Sequence, residues 1–223
     1  MSRLSSFVNR LRYGPAAMDE LKRASLGLAK GIHVGAHLGE ELETYQNMGF
    51  SSMLWIEASP EQFAKLKERI EGVRPNGMKN VAVNAFASES DGEALHLRRF
   101  NNEGASSSIF AATPLLTKTW RGLADTGTSE EVITATLDRI SSEHGFADAD
   151  FLNVDVQGAE LLVLKGATAV LASVKAVIAE VSTKPYYDGG VLWPQLRDYL
   201  REHGFEALHQ KPRPHDDMLF LRK

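Results

Sequence analysis

The sequence predicts a single-domain α/β fold, a mostly parallel sheet with helices on both faces. Three observations point there. Short β-type runs alternate with longer stretches of helical periodicity along most of the chain. A glycine-rich turn, Gly35-Ala-His-Leu-Gly39, joins the first such strand to the helix after it. The length, 223 residues, suits one sizeable core and is too short for two full ones.

Residues 1–17 read as an arm ahead of a domain spanning 18–223. The arm carries Arg3, Arg10 and Arg12 with no acid before Asp19. Leu4, Phe7, Val8 and Leu11 recur at helical spacing, which predicts a short basic amphipathic helix. Its apolar stretch is too broken for a secretory signal. It suits packing on its own domain or on a second copy of the chain, with organelle targeting or a membrane surface as alternatives. Gly14-Pro15 then breaks the chain.

Residues 18–30 read as a helix, 31–34 as the first strand, and 40–48 as a helix stopped by Gly49. The second strand, 52–56, is closed by Glu57, and Pro60 opens a helix reaching about residue 71. The third strand is 80–83. After the Asp91-Gly92 turn, residues 94–99 alternate as an extra edge strand would. Residues 151–154 are the fourth strand, with a helix over 159–171. Residues 176–181 are the fifth, with a helix over 193–203, and 205–208 and 218–221 form a closing strand pair. Residues 100–131 resist the scheme. They hold Asn101-Asn-Glu-Gly104, the triplet Ser106-Ser107-Ser108 and Pro114, with little periodicity. So long a connection is uncommon in a compact domain and is often a lid or binding loop, which makes 100–135 a candidate substrate loop.

Composition excludes several classes. Lys plus Arg is 25 against 29 Asp plus Glu, a net charge of −4, which argues against a protein built to wrap nucleic acid phosphates. There is no cysteine, so there is no disulfide scaffold, cysteine–zinc site or thiol nucleophile. No run approaches the ~18 apolar residues of a membrane span. The expected compartment is a reducing cytoplasm.

The chemistry concentrates at strand ends. Gly35 and Gly39 permit a ligand to approach the backbone between strand and helix. The spacing is not that of the usual dinucleotide fingerprint. Glu57, at the tip of the next strand, is placed to accept hydrogen bonds from both ribose hydroxyls of an adenosine-bearing cofactor. His33 and His37 straddle the strand–turn junction, so they read as hydrogen-bonded turn histidines rather than metal ligands. Asp155 emerges at the carboxyl edge of the fourth strand, where open α/β sheets bind ligands. Gln157 and Gly158 form the turn after it, and Glu160 reads as a favourable charge in the first turn of the next helix.

As an ordered set these segments resemble the FkbM family of S-adenosylmethionine-dependent methyltransferases. Ile32-His-Val-Gly-Ala-His-Leu-Gly39 is similar to that family's cofactor turn, and Trp55-Ile-Glu-Ala-Ser-Pro60 to its second-strand acid motif. Asn84-Ala-Phe-Ala-Ser88 resembles its third-strand turn. Thr136-Leu-Asp138 with Asp155-Val-Gln-Gly-Ala-Glu160 is similar to its most distinctive signature, and Ile178-Ala-Glu180 and Asp217-Met-Leu-Phe220 fit its later strands. The resemblance implies a Rossmann-like seven-stranded methyltransferase fold with the last strand inserted antiparallel. It also implies methyl transfer to a hydroxyl on a sugar or polyketide-like acceptor, a small molecule or glycan. His33 stands where the family usually has Asp, and His37 where it has Asn, which leaves Glu40, Glu41 or Asp155 to hold the methionine ammonium.

On that reading Gly35, Ala36, His37, Gly39, Glu57, Ala58 and Asp155 bind the cofactor, S-adenosylmethionine. Asp155 is the expected base for the acceptor hydroxyl, with Glu180 as a second carboxylate. The same pair could hold Mg²⁺, but two carboxylates fall short of the oxygen ligands that ion needs, so no metal site is assigned. The serine triplet would cover the acceptor, and Tyr186, Tyr187 and Trp193 would wall it. Two other readings use the same residues: a binding module of this fold without catalysis, and a nicotinamide-dependent dehydrogenase. The second predicts a third glycine in the turn and an all-parallel sheet.

Overall fold

The computed structural model describes residues 15–72 and 77–223, so the expected arm helix lies outside the described residues. In chain order the elements are α1 (Pro15–Ala24), β1 (Lys30–Val34), α2 (Leu42–Asn47), β2 (Ser52–Glu57), α3 (Pro60–Gly72) and β3 (Lys79–Asn84). Then come β4 (Phe86–Ser88), β5 (Ala94–Phe100), α4 (Pro114–Thr119), β6 (Asp125–Thr136), α5 (Leu137–Glu143) and β7 (Phe151–Val154). The chain closes with α6 (Glu160–Lys165), α7 (Thr168–Ser173), β8 (Ala176–Ser182), α8 (Trp193–Glu202), β9 (Phe205–Ala207) and β10 (His215–Arg222).

Seven strands form the main sheet in the order β3-β2-β1-β7-β8-β10-β9. β1 pairs in parallel with β2 and β7, β2 with β3, and β7 with β8. β10 runs antiparallel to both neighbours, β8 and β9. This is the arrangement the resemblance implies, and it departs from the all-parallel sheet of the dehydrogenase reading. The central strands are buried almost throughout, which explains their unbroken apolar runs. One face carries the larger core, where Val34, Ile56 and Val154 meet Val163, Val170 and Leu196 of α6, α7 and α8. On the other, Trp55 and Phe151 meet Leu21, Tyr45 and Leu66 of α1, α2 and α3.

Two sequence expectations need correction. The run over 94–99 is not an edge of the main sheet. As β5 it belongs to a separate three-stranded sheet, order β4-β6-β5, whose inner side buries Phe86, Leu97 and Val132. Its central strand, β6, lies in the stretch that showed no periodicity, because most of residues 125–131 is solvent-exposed and only 132–136 carries an alternating buried side. The helix expected over 159–171 is two helices, broken at Gly166. A Cβ there would sit 1.9 Å from the Ser88 carbonyl oxygen, so the backbones touch. Asp138 recaps the chain at this break: its carboxylate accepts from the Ala169 and Val170 amides, both at 2.9 Å, and from Thr168 Oγ1 at 3.0 Å.

Candidate active site

Register assembles the site. Val34 lies opposite Ile56 of β2 and opposite Val154 of β7, so Gly35, Glu57 and Asp155 emerge side by side at the carboxyl edge of the sheet. Val154 lies opposite Ala179, which brings Glu180 beside Asp155, and Glu180 in turn faces Asp217 of β10.

A cleft of about 580 Å³, measured to its open mouth, lies over this edge. Gly35, His37, Glu57, Ala58 and Asp155 all line it, as does Gln157. Ala58, Phe86 and Leu97 form an apolar side wall, and Gly104, Ala105 and Ser107 form part of the roof. Ala36 and Gly39 do not line the cleft. Ala36 is buried in the core with Tyr45 and Trp55, and a Cβ on Gly39 would sit 2.8 Å from Leu66 Cδ1, so this glycine serves helix packing. Gly35 has the stricter requirement. Its φ is +81°, and a Cβ would fall 1.7 Å from the Asp155 carbonyl oxygen, so no side chain fits.

The turn is shaped to hold Glu57. The Glu57 carboxylate accepts from the His37 amide at Oε2 and from the Ser59 amide at Oε1, both at 2.8 Å. Burial pushes its pKa up, and these two N–H donors oppose the shift. Each oxygen keeps a lone pair for a further donor. His37, itself at φ +44°, sets its ring between Glu40 Oε1 at 2.9 Å and the Glu103 carbonyl oxygen at 3.2 Å, tying the turn to the roof segment.

His33 is not on this turn. It is fully buried on the opposite side of β1, between Tyr45 and Trp55, with Asn153 Nδ2 3.3 Å from its Nε2. Burial lowers its pKa to about 4 against the pull of Glu40, so it is neutral and carries no charge to the cleft. Glu41 is also buried, 3.7 Å from His33 Nδ1.

Glu180 stands outside the cleft, in an adjoining recess lined also by Gly158, Glu160, Ser182 and Tyr186. The Gln157 amide connects the two carboxylates. Its Nε2 lies 2.7 Å from Asp155 Oδ1 and 2.9 and 3.0 Å from the two Glu180 oxygens. Behind Glu180, His215 Nε2 lies 2.9 Å from its Oε1. Burial alone would lower the His215 pKa, but the charge and hydrogen bond of Glu180 outweigh it and raise it to about 9. Glu160 is no solvent-facing helix charge. It is 2% exposed, its Oε1 accepts from the Val156 and Gly158 amides, and burial followed by the Glu180 charge pushes its pKa up to about 8.

The serine triplet and the aromatics divide their roles. Ser108 Oγ donates to the Gln157 carbonyl oxygen at 2.7 Å, and Ser106 is held by Asn102. Tyr187 is buried, with its hydroxyl 2.9 Å from Gln157 Oε1 and 3.0 Å from the Ser106 carbonyl oxygen. Tyr186 meets Trp120 and His215 edge-on. Trp193 belongs to the main core against Phe220, not to a substrate wall. Sequence reasoning missed Gln157 as more than a turn residue; only its place before Gly158 pointed to it.

A nucleoside fits these residues: the slot has apolar sides, a carboxylate with spare lone pairs, and the Ser107 hydroxyl, which is buried and without a hydrogen-bond partner among the described residues. Gln62, in the first turn of α3 beneath Gly104, likewise has neither amide atom partnered. Among the described residues no three His, Asp or Glu side chains are grouped to hold a metal ion.

Residues 33–207 match a family model described as the methyltransferase FkbM domain. No curated protein matches the chain. Among solved structures, methyltransferase FkbM from Methylobacillus flagellatus KT is similar with a TM-score of 0.52 at 17% identity, covering 87% of this chain and 43% of that one. This chain therefore spans less than half of that protein. Magnesium protoporphyrin IX methyltransferase (ChlM) from Synechocystis PCC 6803, solved with bound SAM, is similar with a TM-score of 0.50 at 9% identity, covering 92% and 78%. At these identities the likeness is one of fold.

Proposed function

The chain belongs to the FkbM methyltransferase family, and from that premise we propose that it is an S-adenosylmethionine-dependent O-methyltransferase acting on a hydroxyl of a small-molecule or glycan acceptor. The observation that carries this reading is the convergence of Gly35, Glu57 and Asp155 on one cleft. Glu57 would accept from the ribose hydroxyls with the lone pairs its two amide donors leave, and Ala58, Phe86 and Leu97 would flank the base. The cofactor supplies an electrophilic methyl group on a sulfonium. Residues 18–223 act as one catalytic unit, with the segment 101–108 excluding water from the cleft.

Asp155 is assigned as the base. With the cofactor bound, its methyl group would pass to the acceptor oxygen, and the Asp155 carboxylate would take the proton which that oxygen gives up. Placement of the acceptor can supply up to ~7–11 kcal/mol of the acceleration. Replacing Asp155 by Asn keeps the shape and removes the basicity, so the single-turnover rate should fall ~10²–10⁴-fold with cofactor affinity little changed. A wild-type rate on an identified acceptor would remove Asp155 from this role.

The first experiment is calorimetric titration with S-adenosylmethionine and, in parallel, NAD. Binding of the first alone supports the reading. Binding of NAD alone overturns it in favour of the dehydrogenase. The binding-only alternative draws on one observation: His33, where the family usually has an acid, sits neutral in the core. It predicts cofactor binding with no turnover across an acceptor panel.

A further inference from the structure

We propose that Gln157 is a positioning residue that sets the basicity and orientation of Asp155 and couples both to the segment over the cleft. The inference rests on the assignment of Asp155 as base and goes beyond it.

Every polar atom of Gln157 beyond its amide N–H has a partner. Nε2 donates to Asp155 and to Glu180, Oε1 faces the Tyr187 hydroxyl, and the main-chain carbonyl accepts from Ser108 Oγ. The residue is buried and holds a φ of +55°, a left-handed conformation that a side-chain-bearing residue adopts at a cost. Gly158, at φ +100°, follows it, so two successive left-handed residues swing the amide back between the carboxylates. A neutral amide is suited to this place. It gives one N–H to each of two carboxylates on neighbouring strands, where a lysine would neutralise the base and a glutamate would repel it.

The donor on Asp155 Oδ1 favours the carboxylate form and ties that oxygen to the Gln157 amide. Among the described residues, Glu180 of β8 shares the amide with Asp155, Glu160 of α6 and His215 of β10 interact with it electrostatically, and Asp217 of β10 lies opposite Glu180. With Glu180 and Glu160 nearby, removal of the amide leaves repulsion to raise the carboxyl, which His215 opposes. The overlying segment enters through Tyr187 and Ser108. The Tyr187 hydroxyl lies within reach of both the Ser106 carbonyl and Gln157 Oε1, so seating this segment holds the amide with its NH₂ toward the carboxylates.

The test needs no acceptor. The Asp155 carboxyl is followed by ¹³C NMR in aspartate-labelled full-length protein, assigned by the signal that Asp155→Asn removes. In Gln157→Glu, and in Gln157→Met, which removes the donors without adding charge, the Asp155 midpoint should rise by at least one pH unit, a tenfold change in its proton affinity. Tyr187→Phe, which keeps the ring, should raise it in the same direction by less. Circular dichroism and a cooperative urea transition identify folded variants, and only these are titrated. An unchanged midpoint in either folded Gln157 variant overturns the inference. An unchanged midpoint in Tyr187→Phe overturns the coupling to the segment. The Asp155→Asn turnover experiment separately decides whether Asp155 is the base at all.

Discussion

At the scale of single residues, the site is built from groups whose backbone surroundings do as much as their side chains. Glu57 is buried, yet two amide donors keep its carboxylate serviceable. Replacing it by Ala should weaken S-adenosylmethionine binding by ~2–3 kcal/mol, the loss of charge-assisted hydrogen bonds, as read by calorimetry. Full affinity in a folded variant would reject the ribose assignment. His33 makes a different prediction. Its pKa is about 4 in the folded chain against 6.5 for a free side chain, so the folded state disfavours protonation. The stability this contributes is present above pH 6.5 and is lost as pH falls toward 4, by up to ~3 kcal/mol. Glu160, raised to about 8, gains stability over the same interval, so the His33 loss is read as the difference between wild type and His33→Asn in urea unfolding at pH 7 and pH 4.5: the variant should lose less, or gain more, on acidification. The raised groups act oppositely: stability linked to His215 is present below pH 6.5 and lost as pH rises through about 9.

At the scale of elements, the break between α6 and α7 shows how one glycine and one acid define a joint. Gly166 lets that joint touch the backbone of β4, and Asp138 recaps the next helix with three donors. Asp138→Ala should cost about 1–2 kcal/mol of unfolding free energy, as for other helix caps. Gly166→Ala should cost about 3 kcal/mol or more, because the added Cβ meets the Ser88 carbonyl, backbone that cannot swing aside. Equal denaturation midpoints for wild type and Gly166→Ala would show that the two segments separate freely. The small sheet shapes the cleft, since β4 and β5 supply Phe86 and Leu97 to its wall.

At the scale of the molecule, the cleft lies where the main sheet, the small sheet and the 101–108 segment meet. A ligand bound there would brace all three. S-adenosylmethionine at ~100 times its dissociation constant should therefore raise the unfolding free energy by ~2.7 kcal/mol, seen as a concentration-dependent rise in melting temperature. NAD should leave it unchanged. Among the described residues no helix is long and apolar enough to cross a membrane.

The sequence by itself determined the strand order's working parts. Buried parallel strands are read as continuous apolar runs, and glycine, acid and proline at their ends mark the turns, since these signals are local and strong. Gly35, Glu57 and Asp155 were legible for that reason. Tertiary structure alone decided the rest. β6 was hidden because an exposed strand carries no apolar alternation, and its partners lie far along the chain. His33 passed for a turn residue because one position along a strand exchanges the cleft edge for the opposite core. Gln157 reads from its neighbours only as a turn residue. The role proposed for it comes from Asp155, Glu180 and Tyr187 meeting at its side-chain amide and Ser108 at its main-chain carbonyl, and contacts between distant segments leave no periodicity in the chain.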